Sequence, residues 1–416
     1  MYENLTQLTI LDIITKFPAT RDIFVNNGFA PFAEDAILHQ WGSMLKLKTA
    51  LQAKSVDEQW FIRLLADKIT ESELCVGAGQ QQGEKKASPL NLFALLPCPL
   101  KVPVETEIAG VIQSLRKQKG ISLNVCIESN ADHSVRFMDY VKYFTEPEEL
   151  PDIILITGFH FLLRSFVERF VDTGIFAAVP NQAVNTRLAG VSQLIDPDGH
   201  FSVIAANALV MVVDTKRLGE VTLPGSWGDL LRPEYRGQVV IRGHQDTFCD
   251  IVQLNYFKDF GSAGINTLAE AVRYGLHPAQ MVKDLTGKRP DVPPIYVMPY
   301  FFARTLAGLP HIKVIWPAEG AFVYPILVLV KQAKMAELQE VAEFLTGPRI
   351  AQICAGAFFP ALHPAADWAI PVEARFKWIG WDFVKGHDIK QLSQKLNADF
   401  LIAHRAARGP SDQVML

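Results

Sequence analysis

Short apolar runs alternate with longer amphipathic stretches from residue 90 onward. The apolar runs predict β-strands at residues 90–96, 123–127 and 153–156, and the amphipathic stretches predict helices at residues 104–117, 137–144 and 161–170. Strands that are apolar on both faces and separated by helices are typical of a parallel sheet covered by helices on both sides. The pattern therefore predicts the α/β fold class.

Three longer apolar runs follow in the second half of the chain and predict further strands. They occupy residues 201–213, 295–300 and 322–330. The first run comes after a turn that contains Pro197 and Gly199, and a helix is predicted at residues 333–345.

The first 70 residues carry a helical pattern of their own. Thr9 is placed to cap a helix at residues 10–17, Pro18 opens the next helix, and Asn27 with Gly28 closes it. Two more helices are predicted at residues 45–52 and 56–69. The pattern predicts a separate all-α domain at residues 1–70.

Residues 71–88 are polar and show no apolar period. They contain several glycines and glutamines, a composition that is typical of a flexible linker. The linker separates the predicted all-α domain from the predicted sheet.

Residues 224–241 combine two turns, a short amphipathic helix and a buried strand. Ser226 is placed to cap the helix, Pro233 stops it, and Gly237 frees the backbone before the strand at residues 238–241.

This segment and the strands on either side of it resemble, in their order, bacterial solute-binding proteins of the iron, thiamine and polyamine transport type. The resemblance covers about residues 88–390. It implies a two-lobed type 2 periplasmic-binding-protein-like fold of the α/β class, preceded by the separate all-α domain. The boundaries that it implies are 89–200 for the first part of lobe 1, 201–305 for lobe 2, and 306–416 for the second part of lobe 1 with the C-terminal helices.

The amino-terminal series from Leu8 to Phe29 resembles a small helical domain of unknown function that is found beside hybrid-cluster proteins. In the redox-active members of that family, a cysteine pair follows the closing glycine, whereas this chain has Phe29, Ala30, Pro31 and Phe32 there. The resemblance therefore implies docking to a protein partner or self-association rather than thiol chemistry.

Composition excludes some classes of function. The 416 residues exceed what one hydrophobic core usually serves, and a net charge of −4 without a basic run argues against a nucleic-acid-binding surface. No apolar stretch reaches the roughly 18–20 residues that a membrane-spanning helix needs.

The amino terminus and the cysteines predict where the protein resides. Residues 1–9 show neither the basic cluster nor the apolar stretch of a signal peptide, and the five cysteines are odd in number and widely spaced. Both observations predict a cytoplasmic protein with reduced thiols.

Candidate ligand-binding residues follow from the predicted sheet. Ligands bind beyond the carboxyl ends of parallel strands, and in a two-lobed binding protein these ends face one another across a cleft. The residues selected in this way are Cys98, Pro99, Lys101, Gly158, Phe159, His160, Asn207, Gly243, His244, Gln245, Asp246, Thr247, Met298, Tyr300, Glu319 and Gly320.

Residues 242–247 are the strongest candidate among these segments. They are predicted to follow a strand and to open a helix that Asp246 and Thr247 cap, while His244 and Gln245 point toward the ligand. A helix cap without any ligand is the alternative.

Each of the other segments has a ligand-binding interpretation and an alternative without a ligand. Lys101 offers a positive charge beside two stiff prolines, or is simply solvated. Gly158 permits close approach of a ligand to the backbone, and His160 is either a ligand contact or a structural histidine. Asn207 lies in an apolar strand, where its amide needs a partner either in the ligand or at the hinge.

The residues do not predict a strong cation site. The ferric-ion binders that this chain resembles place two adjacent tyrosines on the return segment, whereas this chain has Tyr300 followed by Phe301, which argues against iron transport. A mixed set of Cys98, His160, His244 and Tyr300 stays open as a transition-metal site.

The sequence contains no Gly-x-Ser-x-Gly elbow, Walker loop or His-Glu-x-x-His motif. We therefore expect a cytoplasmic solute-binding-like protein that binds a small organic or anionic ligand in an interlobe cleft and closes by hinge motion. The alternatives are an enzyme on the same fold, a transition-metal binder, and a scaffold with a vestigial cleft. No cofactor is identified.

Overall fold

The computed structural model describes residues 3–75, 91–129, 141, 143–159, 162–185, 194–244, 246–287, 289 and 291–408. The α-helices are α1 (Ile10–Lys16), α2 (Arg21–Asn26), α3 (Asp35–Trp41), α4 (Leu47–Ala53), α5 (Glu58–Cys75), α6 (Cys98–Lys119), α7 (Arg164–Phe166), α8 (Thr215–Leu218), α9 (Asp250–Ala271), α10 (Pro278–Thr286), α11 (Tyr300–Ala303), α12 (Gln339–Thr346), α13 (Pro348–Gly356), α14 (Trp381–Gly386) and α15 (Ile389–Ala407).

The strands alternate with these helices along the chain. They are β1 (Leu92–Leu96), β2 (Val125–Ser129), β3 (Ile153–Thr157), β4 (Phe176–Ala177), β5 (Ser202–Asp214), β6 (Val239–His244), β7 (Thr247–Phe248), β8 (Val272–Leu276), β9 (Ile295–Pro299), β10 (Ile312–Ile315), β11 (Ala321–Lys331) and β12 (Phe376–Trp378).

The chain forms two compact units. Unit 1 consists of Met1–Ile156, Ser165–Ala178 and Val328–Ala342, and unit 2 of Thr157–Arg164, Val179–Leu327 and Glu343–Leu416. The domain boundaries drawn from the sequence stay a prediction.

The sheet of unit 1 has β1 at its centre. β1 pairs in parallel with β2 and with β3, β3 lies next to the end of β11, and that end pairs antiparallel with β4. Every residue of β3 is buried, as expected of a parallel strand with both faces covered. The predicted parallel sheet is confirmed here.

The N-terminal helices also belong to unit 1. The predicted cap of α1 is present, because the Asp12 amide donates to Thr9 Oγ1 at 3.1 Å and the Thr9 amide donates to the Asp12 carboxylate. The predicted closing turn after α2 is present as well, with Gly28 at a φ of 99°. α3 was missed, and α5 continues to Cys75, beyond the predicted start of the linker. The rest of the predicted linker, residues 76–88, lies outside the described residues.

Polar contacts from Trp41 and Thr49 join these helices to the rest of unit 1. Trp41 of α3 is fully buried, packs edge-on against Phe93 of β1 at 5.2 Å between ring centroids, and donates its indole N–H to Glu128 of β2 at 2.9 Å. Thr49 of α4 donates its hydroxyl to the buried carboxylate of Glu149 at 2.6 Å. The helical domain is therefore a layer packed on this sheet.

The sheet of unit 2 contains long buried strands. β5 and β9 are antiparallel, β9 and β6 are parallel, and β6 and β8 are parallel, while β11 lies next to β5 and pairs in parallel with β12. All thirteen residues of β5 are buried. The predicted long strands are confirmed, with β9 ending one residue earlier than predicted because α11 begins at Tyr300.

The turn-and-helix segment before β6 forms as predicted. Ser226 Oγ accepts the Asp229 amide at 3.2 Å, and the Asp229 carboxylate accepts the amides of Gly225 and Ser226. Burial raises the pKa of Asp229, but these hydrogen bonds and Arg232 outweigh it, so the pKa lies below its usual value. The Trp227 ring stacks on Phe322 at 3.9 Å, which holds the segment against β11.

Among the described residues, no helix combines the length and the apolar character that a membrane span requires.

Candidate functional site

The carboxyl ends of three parallel strands meet at one edge of the unit 2 sheet. β6 and β9 are in register at Ile241 and Val297, and β6 and β8 at Ile241 and Gly275. The end of β6, with Gly243 and His244, therefore lies level with the end of β9, where Tyr300 follows. Met298, near the end of β9, is fully buried and supports this edge without being exposed to a ligand.

Tyr300 is held among aromatic rings at this edge. Its ring lies edge-on to Trp316 at 5.0 Å and to Phe358 at 6.2 Å, and its hydroxyl donates to the Ala369 carbonyl at 3.3 Å. Burial raises the pKa of the phenol, and the nearby Arg304 guanidinium only partly opposes this effect. Tyr300 is therefore a neutral phenol at pH 7.

Arg304, which the sequence did not single out, completes this aromatic group. Its guanidinium carbon lies 5.3 Å from the centroid of the Phe358 ring, a cation–π distance, and its side chain is exposed. Within the described ranges, no carboxylate forms an ion pair with it. The guanidinium thus lies over the Phe358 ring and beside the Tyr300 hydroxyl, and it is available to an anion.

Phe358 has a backbone conformation that bulky residues avoid. Its φ is 65°, and it ends α13 in a turn in which the Phe359 amide donates to the Cys354 carbonyl at 2.8 Å. A left-handed conformation at a residue with a Cβ costs about 1–2 kcal/mol. The turn places the Phe358 ring next to both Tyr300 and Arg304.

Asn207 lies fully within the core of β5 and has a protein partner. Its side-chain amide donates to the hydroxyl of Tyr324 in β11, and the two residues are 3% and 4% exposed. Burial raises the pKa of Tyr324 well above its usual value. The sequence left open whether the Asn207 amide finds its partner in the ligand or at the hinge. The bond to Tyr324 satisfies the amide without any ligand.

We expect Tyr324→Phe to destabilise the protein by about 1–2 kcal/mol, because the buried Asn207 amide then loses its acceptor. Replacing both partners, in Asn207→Leu with Tyr324→Phe, should cost less than the sum of the two single changes, since no polar group is then left unpaired. Urea unfolding of the four proteins measures the coupling. Additive effects would contradict this assignment.

The predicted helix start at residues 242–247 is wrong. Gly243 and His244 pair with Phe248 and Thr247 in an antiparallel hairpin, and α9 begins only at Asp250. Asp246 and Thr247 are exposed and do not cap this helix.

The hairpin is instead fixed by α15. Asn397 donates to the Asp246 carbonyl at 2.8 Å and accepts the Phe248 amide at 2.9 Å, and Arg405 pairs with Asp246 at 2.9 Å. A Cβ on Gly243 would lie 2.9 Å from Gly275, so this glycine serves close contact between β6 and β8. His244 is exposed beside these contacts, and Gln245 lies outside the described residues.

The candidates after β1 lie in unit 1 and not in a loop. α6 begins at Cys98, so Pro99 and Lys101 belong to its first turn, where proline is tolerated. The Cys98 sulfur lies 3.0 Å from the Ser129 hydroxyl at the carboxyl end of β2. From the sequence, Pro97 to Lys101 were expected to form a loop stiffened by the two prolines; the structure corrects this to a helix start.

The segment after β3 belongs to unit 2. Gly158 has a φ of 83° and donates its amide to Pro325 of β11 at 3.0 Å. Phe159 is buried and stacks on Trp378 of β12, with ring centroids 5.8 Å apart. His160 lies outside the described residues.

Glu319 and Gly320 form the turn before β11. The Trp227 indole donates to the Gly320 carbonyl at 2.8 Å, and the Trp227 amide donates to Glu319 at 3.3 Å. Gly320 is buried with a φ of 109°. These contacts give both residues a structural role.

Metal-binding donors do not gather in the part of the chain that the structure describes. It contains no group of three or more His, Cys, Asp or Glu side chains placed to hold a metal ion. Cys98 lies in unit 1, whereas His244 and Tyr300 lie in unit 2. The roles of the candidate residues toward a ligand stay a prediction.

The family model for a bacterial extracellular solute-binding protein matches residues 148–387. The chain belongs to this family. The model of a domain of unknown function matches residues 6–62, in agreement with the resemblance of the N-terminal helices. No curated protein matches the chain.

Solved structures of similar fold cover most of this chain. A Bordetella ferric binding protein is 14% identical, with a TM-score of 0.52, over 76% of this chain and 98% of its own. A Trichodesmium protein in complex with iron and citrate is 16% identical, with a TM-score of 0.52 and the same coverage. A Campylobacter jejuni ferric binding protein is 13% identical, with a TM-score of 0.52, over 75% and 99%. These similarities confirm the predicted fold, that of the two-lobed periplasmic binding proteins with an α-helical domain in front.

Proposed function

We propose that this solute-binding protein binds a small organic anion at the edge of unit 2 formed by Tyr300, Arg304, Trp316 and Phe358. The observation that carries the proposal is Arg304, an exposed guanidinium that lies over an aromatic ring and has no ion-pair partner among the described residues. Guanidinium groups bind carboxylates through paired, charge-assisted hydrogen bonds. Aromatic rings beside it suit a planar organic body.

Bare iron fits this edge less well. The similar Bordetella and Campylobacter jejuni structures are of ferric binding proteins. In this chain Tyr300 is followed by Phe301, and the Tyr300 phenol is kept protonated by burial, which raises its pKa, and donates to a carbonyl. A phenol must lose its proton to bind Fe³⁺ strongly, so an organic anion is the better match.

The location of the protein and its protein partner belong to the same proposal. The expected cytoplasmic residence rests on the sequence alone, in which the five cysteines are odd in number and widely spaced. The family description, by contrast, is of extracellular proteins, and a similar structure is described as an ABC transporter from Clostridium perfringens. Export would make an ABC-type transporter the natural partner, and fractionation of cells separates the two possibilities.

Hinge closure, and self-association or partner docking through the N-terminal helices, stay predictions. Scattering profiles with and without ligand test the first, and light scattering at several concentrations tests the second.

The ligand class is tested with probes that share one ring. We expect calorimetric titration to show tighter binding of benzoate than of benzyl alcohol or benzylamine. Arg304→Gln should weaken benzoate binding about tenfold or more, because a hydrogen bond to a charged group is lost.

Arg236→Gln is the matched control for that change. Arg236 is another exposed arginine of unit 2, paired with Glu270 at 2.8 Å, and its replacement should leave benzoate binding unchanged. Preference for benzylamine, or an equal effect of both changes, would overturn the proposal. Ferric citrate is titrated under the same conditions. Chemical conversion of a bound probe would favour the enzyme alternative.

A further inference from the structure

Trp378 carries a buried hydrogen-bond donor without an acceptor. Its side chain in β12 is 6% exposed, and its indole nitrogen has no partner in the described chain. Three other buried tryptophans each donate their indole N–H to protein oxygens, Trp41 to Glu128, Trp227 to Gly320 and Trp381 to Leu194. Buried donors are paired in the large majority of cases, so the exception at Trp378 needs an explanation.

The position of Trp378 connects it with a segment that the sequence selected as ligand-binding. β12 is in register with β11 at Trp378 and Val323, and the Gly158 amide is bonded to Pro325 of the same strand. The Phe159 ring is stacked on the Trp378 ring with an angle of 17° between their planes. The unpaired N–H therefore lies beside the turn that follows β3.

An aromatic row leads from Trp378 to the proposed anion site. Phe376 lies two residues before Trp378 and therefore on the same face of β12. Its ring is 5.6 Å from Trp316, and Trp316 is 5.0 Å from Tyr300. Ring contacts thus connect the Arg304 site with Phe376, and Trp378 follows Phe376 on the same face of β12.

We propose that the Trp378 N–H is a second subsite of the ligand, binding a carbonyl or carboxylate oxygen at the far end of an elongated, planar organic anion. This inference rests on the proposed function, which places the first anionic group at Arg304. An indole N–H is a donor only, so the group it binds must supply a lone pair. The preferred ligands are therefore aromatic acids with a second acceptor, such as rigid dicarboxylates.

The test uses rigid dicarboxylates of increasing length, terephthalate, naphthalene-2,6-dicarboxylate and biphenyl-4,4′-dicarboxylate, each compared with its monocarboxylate. We expect at least one dicarboxylate to bind about tenfold more tightly than its monocarboxylate. Trp378→Phe should abolish this advantage while leaving monocarboxylate binding unchanged.

Trp381→Phe is the control, because that change removes an indole that already has a protein acceptor. It should lower stability more than Trp378→Phe does, yet keep the preference for the dicarboxylate. This comparison separates loss of the subsite from general weakening of the fold.

A direct readout avoids dependence on any variant. In protein labelled with ¹⁵N at the seven tryptophan indoles, the Trp378 resonance, assigned by its absence in Trp378→Phe, should move downfield on addition of the dicarboxylate. Dicarboxylates that bind without moving this resonance would overturn the subsite while the proposed function stands. If no monocarboxylate or dicarboxylate binds, the proposed function fails, and the subsite fails with it.

Discussion

Gly320→Ala is expected to destabilise the protein by about 3 kcal/mol or more, from the combined cost of a positive φ and of overpacking. The φ of Gly320 is 109°, and a Cβ there would lie 2.7 Å from the backbone of Phe376 and 2.9 Å from that of Arg375. Backbone atoms cannot relieve such a contact by changing rotamer, as a side chain can. The substitution must therefore displace β12 from β11 and loosen the Trp227 bond to the Gly320 carbonyl.

Gly308→Ala is the matched control for this change. A Cβ added at Gly308 would have nothing within 4 Å, and the φ of this residue is not positive, so its replacement should change the free energy of unfolding by about 0.5 kcal/mol or less. Urea unfolding followed by circular dichroism measures both. Equal losses at the two glycines would show that the turn before β11 is not held as described.

Glu149→Ala should cost about 3 kcal/mol, because it leaves the buried Thr49 hydroxyl without an acceptor and removes the hydrogen bonds that the carboxylate accepts from two backbone amides. The carboxylate accepts the Thr49 hydroxyl at 2.6 Å and the amides of Thr145 and Glu146 at 2.9 and 3.1 Å. Its loss should also speed hydrogen exchange in α4, whose Thr49 is the partner from the N-terminal helices.

Glu148→Ala provides the comparison, since the neighbouring Glu148 is exposed and its replacement should change stability by about 0.5 kcal/mol or less. Thr49→Val removes only the hydrogen bond from the Thr49 hydroxyl, so its cost should fall between those of Glu149→Ala and Glu148→Ala. If Glu149→Ala leaves exchange in α4 unchanged, the N-terminal helices do not depend on this contact.

The strands were the most predictable part of the fold. β5 and β11 are long, apolar and buried along almost their whole length, so a run of hydrophobic residues suffices to locate them. The cap at Thr9 was also predictable, because both of its partners lie within three residues. Local chemistry alone determines such features.

Elements that depend on distant residues were not predictable. The hairpin at Gly243 and Phe248 contains few paired residues. It is held in place by Asn397, which lies 149 positions from Phe248 in the sequence. α3 has no side-chain cap at its start, and its buried Trp41 finds its partner 87 positions away. No local pattern predicts such contacts.

The proposed anion site illustrates the same division. Tyr300 could be selected from the sequence because it follows a predicted strand. Arg304 could not, because its place in the site depends on Phe358, whose ring lies beneath its guanidinium. The sequence shows Asn207 as an amide in an apolar strand that needs a partner, but it could not show that Tyr324 satisfies this amide.

The bonds from Trp41 to Glu128 and from Thr49 to Glu149 also bear on the ancestry of this chain. A carboxylate that accepts a hydrogen bond from a neighbouring domain is less well satisfied wherever that domain is missing. The acquisition of the helical domain and of these two acids would therefore be linked events, and recombination that exchanged the domain alone would remove the hydrogen bonds of Trp41 and Thr49 from Glu128 and Glu149.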